Sequence, residues 1–229
     1  MPAAGQSDNA RQKSLGYIAQ HYWKPVYCYI RGRGYTTDDA KDLTQGFFQK
    51  SLQSDFFAKA DPARGRFRAY LLSSLKNFIA NARRDAGTKK RKPAQGFIPV
   101  HELATVDGPY CVPADKNDPE RIFNHSWTSE LLMRVLHVLE AEYKAAGKQA
   151  NLELFRQRII DPALHGTEAP PLADLARQLG MTEKESANRL LTARRAFQRL
   201  LREEIRRFAN SEEEVTAEIQ ELFRSLGNA

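Results

Sequence analysis

Apolar side chains recur at intervals of three and four residues along this chain, and this spacing is what most restricts its fold. The first such stretch runs from Asp38 to Leu52, with polar residues at the positions between. A second runs from Leu71 to Ala82. Because an α-helix has about 3.6 residues per turn, the spacing places the apolar side chains on one face of each helix. The pattern predicts an all-α fold.

The segment between these two helices interleaves arginines with aromatic residues. It reads DPARGRFRAY over residues 61–70. One interpretation is a helical hairpin with a solvated basic turn. The other is a surface for single-stranded nucleic acid, because bases stack on aromatic rings while cationic side chains follow the backbone.

Two longer runs carry a resemblance to a known family. They are DAKDLTQGFFQKSL at residues 39–52 and RGRFRAYLLSSLKNFIANARRD at residues 64–85. Together they resemble the polymerase-binding and promoter-melting region of bacterial sigma factors, the small two-domain extracytoplasmic-function (ECF) kind. The resemblance covers roughly Tyr22 to Asp85. It implies that the first helix docks on core RNA polymerase, while the loop and the second helix hold the single-stranded minus-ten element of a promoter.

The resemblance also implies which side chains make these contacts. The implied polymerase-binding residues are Asp42, Leu43, Gln45 and Phe48. The implied minus-ten residues are Arg64, Arg66, Phe67, Arg68, Tyr70, Asn77, Arg83 and Arg84.

A different motif lies in the second half of the chain. A short apolar helix that begins near Leu172 ends at Gly180, and Thr182 then caps a second helix, with Glu185 completing a capping box. Helix, glycine turn and capped helix form the helix-turn-helix layout, in which the first turns of the second helix contact base edges.

Residues 119–208 resemble the minus-thirty-five-binding domain of the same family. Ser186, Ala187 and Asn188 depart from its usual pattern, in which a branched apolar residue and a basic or polar residue stand there, so the base preference stays open. Arg189 is expected to contact a base, and Arg194 and Arg195 to contact phosphates. The full set of implied DNA-binding residues is Thr182, Glu185, Ser186, Arg189, Arg194 and Arg195.

Composition shifts divide the chain into five segments. Residues 1–9 are small and polar, which predicts a disordered N-terminus. Residues 10–87 form the first helical domain, in which Pro25 is expected to break or kink the first helix or to begin another. Residues 88–118 are rich in Pro, Gly and charge, which predicts a flexible linker to the second domain at 119–208. Residues 209–229 predict an acidic amphipathic helix, which either packs on the second domain or makes a regulatory contact.

The overall charge and the cysteines bear on partners and compartment. The formal net charge of +7 suits a polyanionic partner. Cys28 and Cys111 lie far apart without metal-ligand spacing, which predicts free thiols in a reducing cytoplasm. No apolar run reaches the length of a membrane span, so we expect a soluble, cytoplasmic protein without membrane insertion.

The sequence therefore favours a sigma factor whose partners are core RNA polymerase and promoter DNA, with an anti-sigma factor or other regulator as a further partner. The alternative is a helix-turn-helix regulator that binds duplex DNA as a dimer, which leaves the stretch from Asp38 to Arg84 unexplained. An enzyme is not expected, because the chain has no phosphate loop, no metal-ligand spacing and no nucleophile beside a base. No cofactor and no metal is expected.

Overall fold

The computed structural model describes residues 19–53, 67–86, 118–207, 209 and 211–227. Within these ranges all regular structure is helical and no strand occurs, which confirms the all-α prediction. The predicted N-terminal tail at residues 1–9 lies outside the described ranges, as does the linker apart from Asp118. The chain divides into two compact units, Met1–Trp127 and Thr128–Ala229. Pro119 to Trp127 therefore group with the first unit, whereas the sequence analysis began the second domain at Pro119.

The described residues of the first unit form three helices and the start of a fourth. They are α1 (residues 19–32), α2 (Thr37–Gln53), α3 (Phe67–Ala86) and the first part of α4 (Pro119–Ala145). Thr36 caps α2, because its Oγ1 accepts a hydrogen bond from the Asp39 backbone N–H at 3.2 Å.

Aromatic side chains fill the core of this unit. Trp23 of α1 stacks on Phe48 of α2 with ring centroids 5.7 Å apart, and Tyr29 meets Phe123 of α4 edge to face at 6.5 Å. Both contacts are in the range that aromatic pairs prefer. The largest of the fully buried side chains in the first unit are Trp127, Tyr22, Tyr27, Tyr29, Phe123 and Ile30.

Helix α1 continues through Pro25, which was expected to break it, kink it or begin a new helix. Proline removes one backbone hydrogen bond, but tertiary packing supplies most of the stability of a helix in a protein. Here Trp23 and Val26 on either side of the proline are buried. The packing of α1 therefore keeps it helical across this position.

Cys28 corrects a second expectation. Its side chain is fully buried and disulfide-bonded, so the prediction of a free thiol is wrong. The chain has one other cysteine, Cys111, which lies outside the described residues. The Ser126 hydroxyl donates a hydrogen bond to the Cys28 sulfur at 3.7 Å.

The second unit contains the remainder of α4 and the helices that follow it. These are α5 (Gln149–Phe155), a π-helical turn (Arg156–Ile160), α6 (Asp161–His165), α7 (Leu172–Gln178), α8 (Glu183–Arg206) and α9 (Glu212–Gly227). Helix α8 contacts α5, α7 and α9, so it is the central element of this unit.

Helix α9 packs on α8, which was the first of the two interpretations of its sequence. Ser211 caps it, because its hydroxyl accepts the Glu214 backbone N–H at 3.2 Å. Val215 and Leu222 are buried on its apolar face. Across the described residues, no helix combines the length and apolar character that crossing a bilayer requires.

Candidate nucleic-acid interface

The turn between α7 and α8 is fixed by backbone hydrogen bonds. Gly180 has a φ of 66°, the left-handed conformation that glycine adopts without steric cost. The Met181 N–H donates to the Ala176 carbonyl at 2.8 Å, and the Gly180 N–H donates to the Arg177 carbonyl at 3.2 Å. This pair of bonds is a Schellman motif, which ends α7 at a defined residue.

The start of α8 is fixed by Thr182. Its Oγ1 accepts a hydrogen bond from the Glu185 backbone N–H at 3.2 Å, so the predicted N-cap is confirmed. The Glu185 carboxylate accepts a hydrogen bond from the Arg189 guanidinium at 2.6 Å. Helix, glycine turn and capped helix are thus present as the sequence predicted.

Ser186 is buried, whereas Arg189 is half-buried and bonded to two neighbouring side chains. The Arg189 guanidinium donates to Glu185 at 2.6 Å and to Asn151 Oδ1 of α5 at 3.3 Å. Asn151 is itself buried, and Ser186 has no exposed surface. The expectation that Ser186 shares an exposed face with Glu185 and Arg189 is therefore wrong, because Ser186 lies on the buried side of α8.

The exposed face of α8 includes Arg194 and Arg195, which the sequence predicted, and four residues that it did not: Lys184, Asn188, Leu191 and Gln198. Its members are spaced three and four residues apart and are exposed: Lys184, Asn188, Leu191 and Arg195, flanked by Arg194 and Gln198. The signal was present in the sequence. Buried Ala193, Phe197 and Leu200 define the core side of the helix, and the opposite side follows from the helical repeat.

The arginines in the second half of α8 are held by acidic side chains. Arg199 binds both Glu142 and Glu203, and these hydrogen bonds raise its pKa. The Arg206 Nε donates to Glu212 at 2.6 Å, which raises the pKa of Arg206 and lowers that of Glu212. Arg202 and Arg207 are also ion-paired, with Glu212 and Glu204 respectively.

In contrast, Lys184, Arg194 and Arg195 form no ion pair with any residue in the part of the chain that the structure describes. The α8 cations without an acidic partner therefore all precede Arg199 in the helix. Arg194 and Arg195, which were expected to contact phosphates, are both exposed.

In the first unit, α3 presents a polar stripe. Tyr70, Asn77 and Arg84 are seven residues apart, so they lie on one side of the helix, where Asn77 and Arg84 are exposed and Tyr70 is half-buried. Ser74 and Asn81 fall on the same stripe and were missed, because small polar residues on a helix give no chemical signal by themselves. Arg64 and Arg66 lie outside the described residues.

Three other residues of the expected minus-ten set contact side chains of the protein itself. Arg68 is 9% exposed, and its guanidinium lies over the Trp127 ring at 4.4 Å from the centroid. Phe67 meets the Tyr22 ring edge to face at 5.6 Å. Arg83 is exposed, but its Nε donates to the Tyr35 hydroxyl at 2.9 Å. Arg68 is therefore a core residue, which corrects its assignment to DNA.

A cleft of about 210 Å³ opens beside the α3 stripe. The Lys50 ammonium lies 5.9 Å from the Phe78 ring centroid at this cleft, so a cation and an aromatic face are placed together. The cleft is lined by Phe47, Lys50 and Ser51 of α2 and by Ser74, Asn77, Phe78 and Asn81 of α3.

The expected polymerase-binding residues of α2 separate into two groups. Asp42 is exposed, and Leu43 and Gln45 are half-buried, so all three have surface that a partner can contact. Phe48 is 2% exposed and stacks on Trp23. Its side chain therefore belongs to the core between α1 and α2 and is not part of an exposed surface.

No cluster of three or more His, Cys, Asp or Glu side chains that could hold a metal ion occurs among the described residues. Comparison with known proteins found no matching family model, no matching curated protein and no matching solved structure.

Proposed function

We propose that this protein is a sigma factor, which binds core RNA polymerase in the cytoplasm and directs it to promoter DNA. The observation that carries the proposal is the exposed face of α8. This helix begins at a fixed residue after a helix-turn-helix turn. Its residues Lys184, Arg194 and Arg195 have no ion-pair partner among the residues that the structure describes, whereas the later arginines are ion-paired. A helix so placed suits the major groove of duplex DNA, where the cations contact phosphates and position the helix.

The two compact units correspond in this proposal to the two domains of a small ECF sigma factor. The unit with α2 and α3 is the polymerase-binding and promoter-melting domain, and the unit with α7 and α8 is the minus-thirty-five-binding domain. Residues 88–118, the linker that the sequence predicts, fall within the first unit, and the chain passes from one unit to the other inside α4. The sequence resemblance described above supports this correspondence.

Promoter opening in this proposal is driven by the capture of exposed bases. Unstacking a base costs on the order of a few kcal/mol, and the sequence contains no ATP-binding motif to supply that energy. Stacking on an aromatic ring contributes about 1–3 kcal/mol per base, with phosphate contacts in addition. The α3 stripe of Tyr70, Asn77 and Arg84, with the adjacent cleft at Phe78, offers such contacts.

Polymerase binding is assigned to the exposed part of α2, namely Asp42, Leu43 and Gln45. The direct test is co-purification of core polymerase with the full-length protein. Replacing Asp42 and Gln45 by Ala should reduce the bound polymerase at least tenfold while the protein keeps its helical circular dichroism spectrum.

A matched double variant on α3 provides the control. Asn77→Ala with Arg84→Ala should retain polymerase binding but reduce the permanganate reactivity of promoter thymines, because these residues act on the melted strand. Failure of the wild-type protein to bind core polymerase, together with duplex binding by two copies of the chain, would instead indicate a dimeric helix-turn-helix regulator.

A further inference from the structure

An exposed leucine lies at the centre of the cationic face of α8. Leu191 is 46% exposed, although α8 contacts three other helices. A single exposed apolar side chain is ordinary on a protein surface. Leu191 differs from the similarly exposed Val138 of α4 because its neighbours on the same stripe are Asn188 and Arg195.

The two side chains are close enough along the helix to reach neighbouring base pairs. Asn188 and Leu191 are three residues apart, which is about 4.5 Å along a helix axis. Successive base pairs are separated by about 3.4 Å. Arg195 follows one turn later on the same side, and Lys184 precedes Asn188 by one turn. Two short non-ionic side chains are thus bracketed by cations.

The charge around this pair identifies the occupant. Lys184, Arg194 and Arg195 have no acidic partner among the residues that the structure describes, so the face carries uncompensated positive charge. Asparagine can bind adenine through both N6 and N7, and apolar side chains contact the C5-methyl group of thymine in the major groove. Both chemistries are available here on a helix that starts at a fixed residue.

Resting on the proposed function, we infer that Asn188 and Leu191 read two neighbouring base pairs of the upstream promoter element, with Asn188 selecting adenine and Leu191 selecting thymine. Arg195 holds the adjacent phosphate. Arg189, fixed between Glu185 and Asn151, positions the helix and does not read a base.

The test uses duplexes in which one atom group is removed. The full-length protein alone first selects a duplex from a random library at low salt, so the result does not depend on polymerase. Deoxyuridine then replaces each thymidine in turn, which removes only the C5-methyl group. Separately, 7-deazaadenine replaces each adenine, which removes only N7. Affinities are measured by fluorescence anisotropy.

The affinity of the wild-type protein should fall about fourfold when deoxyuridine replaces one particular thymidine, as expected when the burial of one methyl group is lost. It should fall about fivefold at a neighbouring adenine, the lower end of the range for a bidentate contact. Leu191→Ala should lose sensitivity to deoxyuridine alone, and Asn188→Ala should lose sensitivity to 7-deazaadenine alone. Val138→Ala, at an equally exposed apolar position, should keep both.

Several outcomes would overturn the inference. The absence of any deoxyuridine effect would remove the thymine contact, and an undiminished effect in Leu191→Ala would assign it to another residue. Reduced polymerase binding by Leu191→Ala with unchanged duplex binding would make the face a protein contact. Selection of no duplex would also overturn it, while the polymerase co-purification would still decide the proposed function separately.

Discussion

Replacing Arg68 by Met should destabilise the first unit without changing how the protein binds DNA. The Arg68 guanidinium lies 4.4 Å from the centroid of the Trp127 ring and is 9% exposed. A desolvated cation–π contact contributes about 2 kcal/mol. Methionine keeps the unbranched apolar stem, so the change removes mainly the charge. We therefore expect a loss of about 2 kcal/mol in the free energy of unfolding.

Tryptophan fluorescence measures this loss of stability in the first unit. The chain has two tryptophans, Trp23 and Trp127, and both are buried in the first unit. Their emission during urea unfolding therefore reports that unit. For a domain of about 100 residues, 2 kcal/mol corresponds to roughly 8 °C or more in the midpoint of thermal unfolding.

The matched control is Arg84→Met on the same helix. Arg84 is exposed, and an exposed substitution changes stability by no more than about 0.5 kcal/mol. If Arg84 contacts a phosphate, its loss should make the logarithmic salt dependence of single-strand binding shallower by about 0.7. The reasoning fails if Arg68→Met leaves the unfolding midpoint unchanged and alters the salt dependence instead, because Arg68 would then be a nucleic-acid contact.

Two further predictions concern α8 and its boundaries. Glu212→Gln removes the acidic partner of Arg202 and Arg206, so non-specific duplex binding should strengthen and its logarithmic salt slope should steepen by about 1–2. The control is Glu213→Gln, because Glu213 forms no ion pair with an arginine among the described residues. This control should change neither the affinity nor the salt slope. Gly180→Ala should destabilise the second unit by about 1–2 kcal/mol, measured by circular dichroism, because a Cβ there meets no atom within 4 Å but the φ of 66° is unfavourable for alanine. Gly46→Ala should instead stabilise the protein by about 0.5–1 kcal/mol, because Gly46 lies in the interior of α2, where a Cβ would lie 3.5 Å from Phe78. Lower stability of the Gly46→Ala variant, or unchanged stability of the Gly180→Ala variant, would contradict this account of the two glycines.

Helix boundaries could be predicted from the sequence because their causes are local. Thr36, Thr182 and Ser211 each accept a backbone N–H three residues later, as caps require. Gly180 ends α7 through bonds that span five residues at most. Such interactions involve neighbours in the chain, and the sequence displays them directly.

The orientation of individual side chains could not be predicted in the same way. Leu190 and Leu191 are adjacent leucines of α8, yet Leu190 is half-buried and Leu191 is among the exposed apolar residues. Arg68 and Arg84 are both arginines of α3. The guanidinium of Arg68 lies over the Trp127 ring, whereas Arg84 is exposed. Trp127 is distant in sequence from Arg68, so only the tertiary structure shows that this arginine belongs to the core.

Counting arginines on α8 overstates the surface that it can offer to DNA. The helix carries basic residues along its whole length, but Glu142, Glu203 and Glu212 from three different helices hold Arg199, Arg202 and Arg206. An arginine that already binds a carboxylate must give up that partner to reach a phosphate. Among the described residues, the basic side chains of α8 without an acidic partner are therefore Lys184, Arg194 and Arg195. If the protein binds DNA as proposed, the ion pairs with Glu212 of α9 make Arg202 and Arg206 less available to phosphates than Arg194 and Arg195.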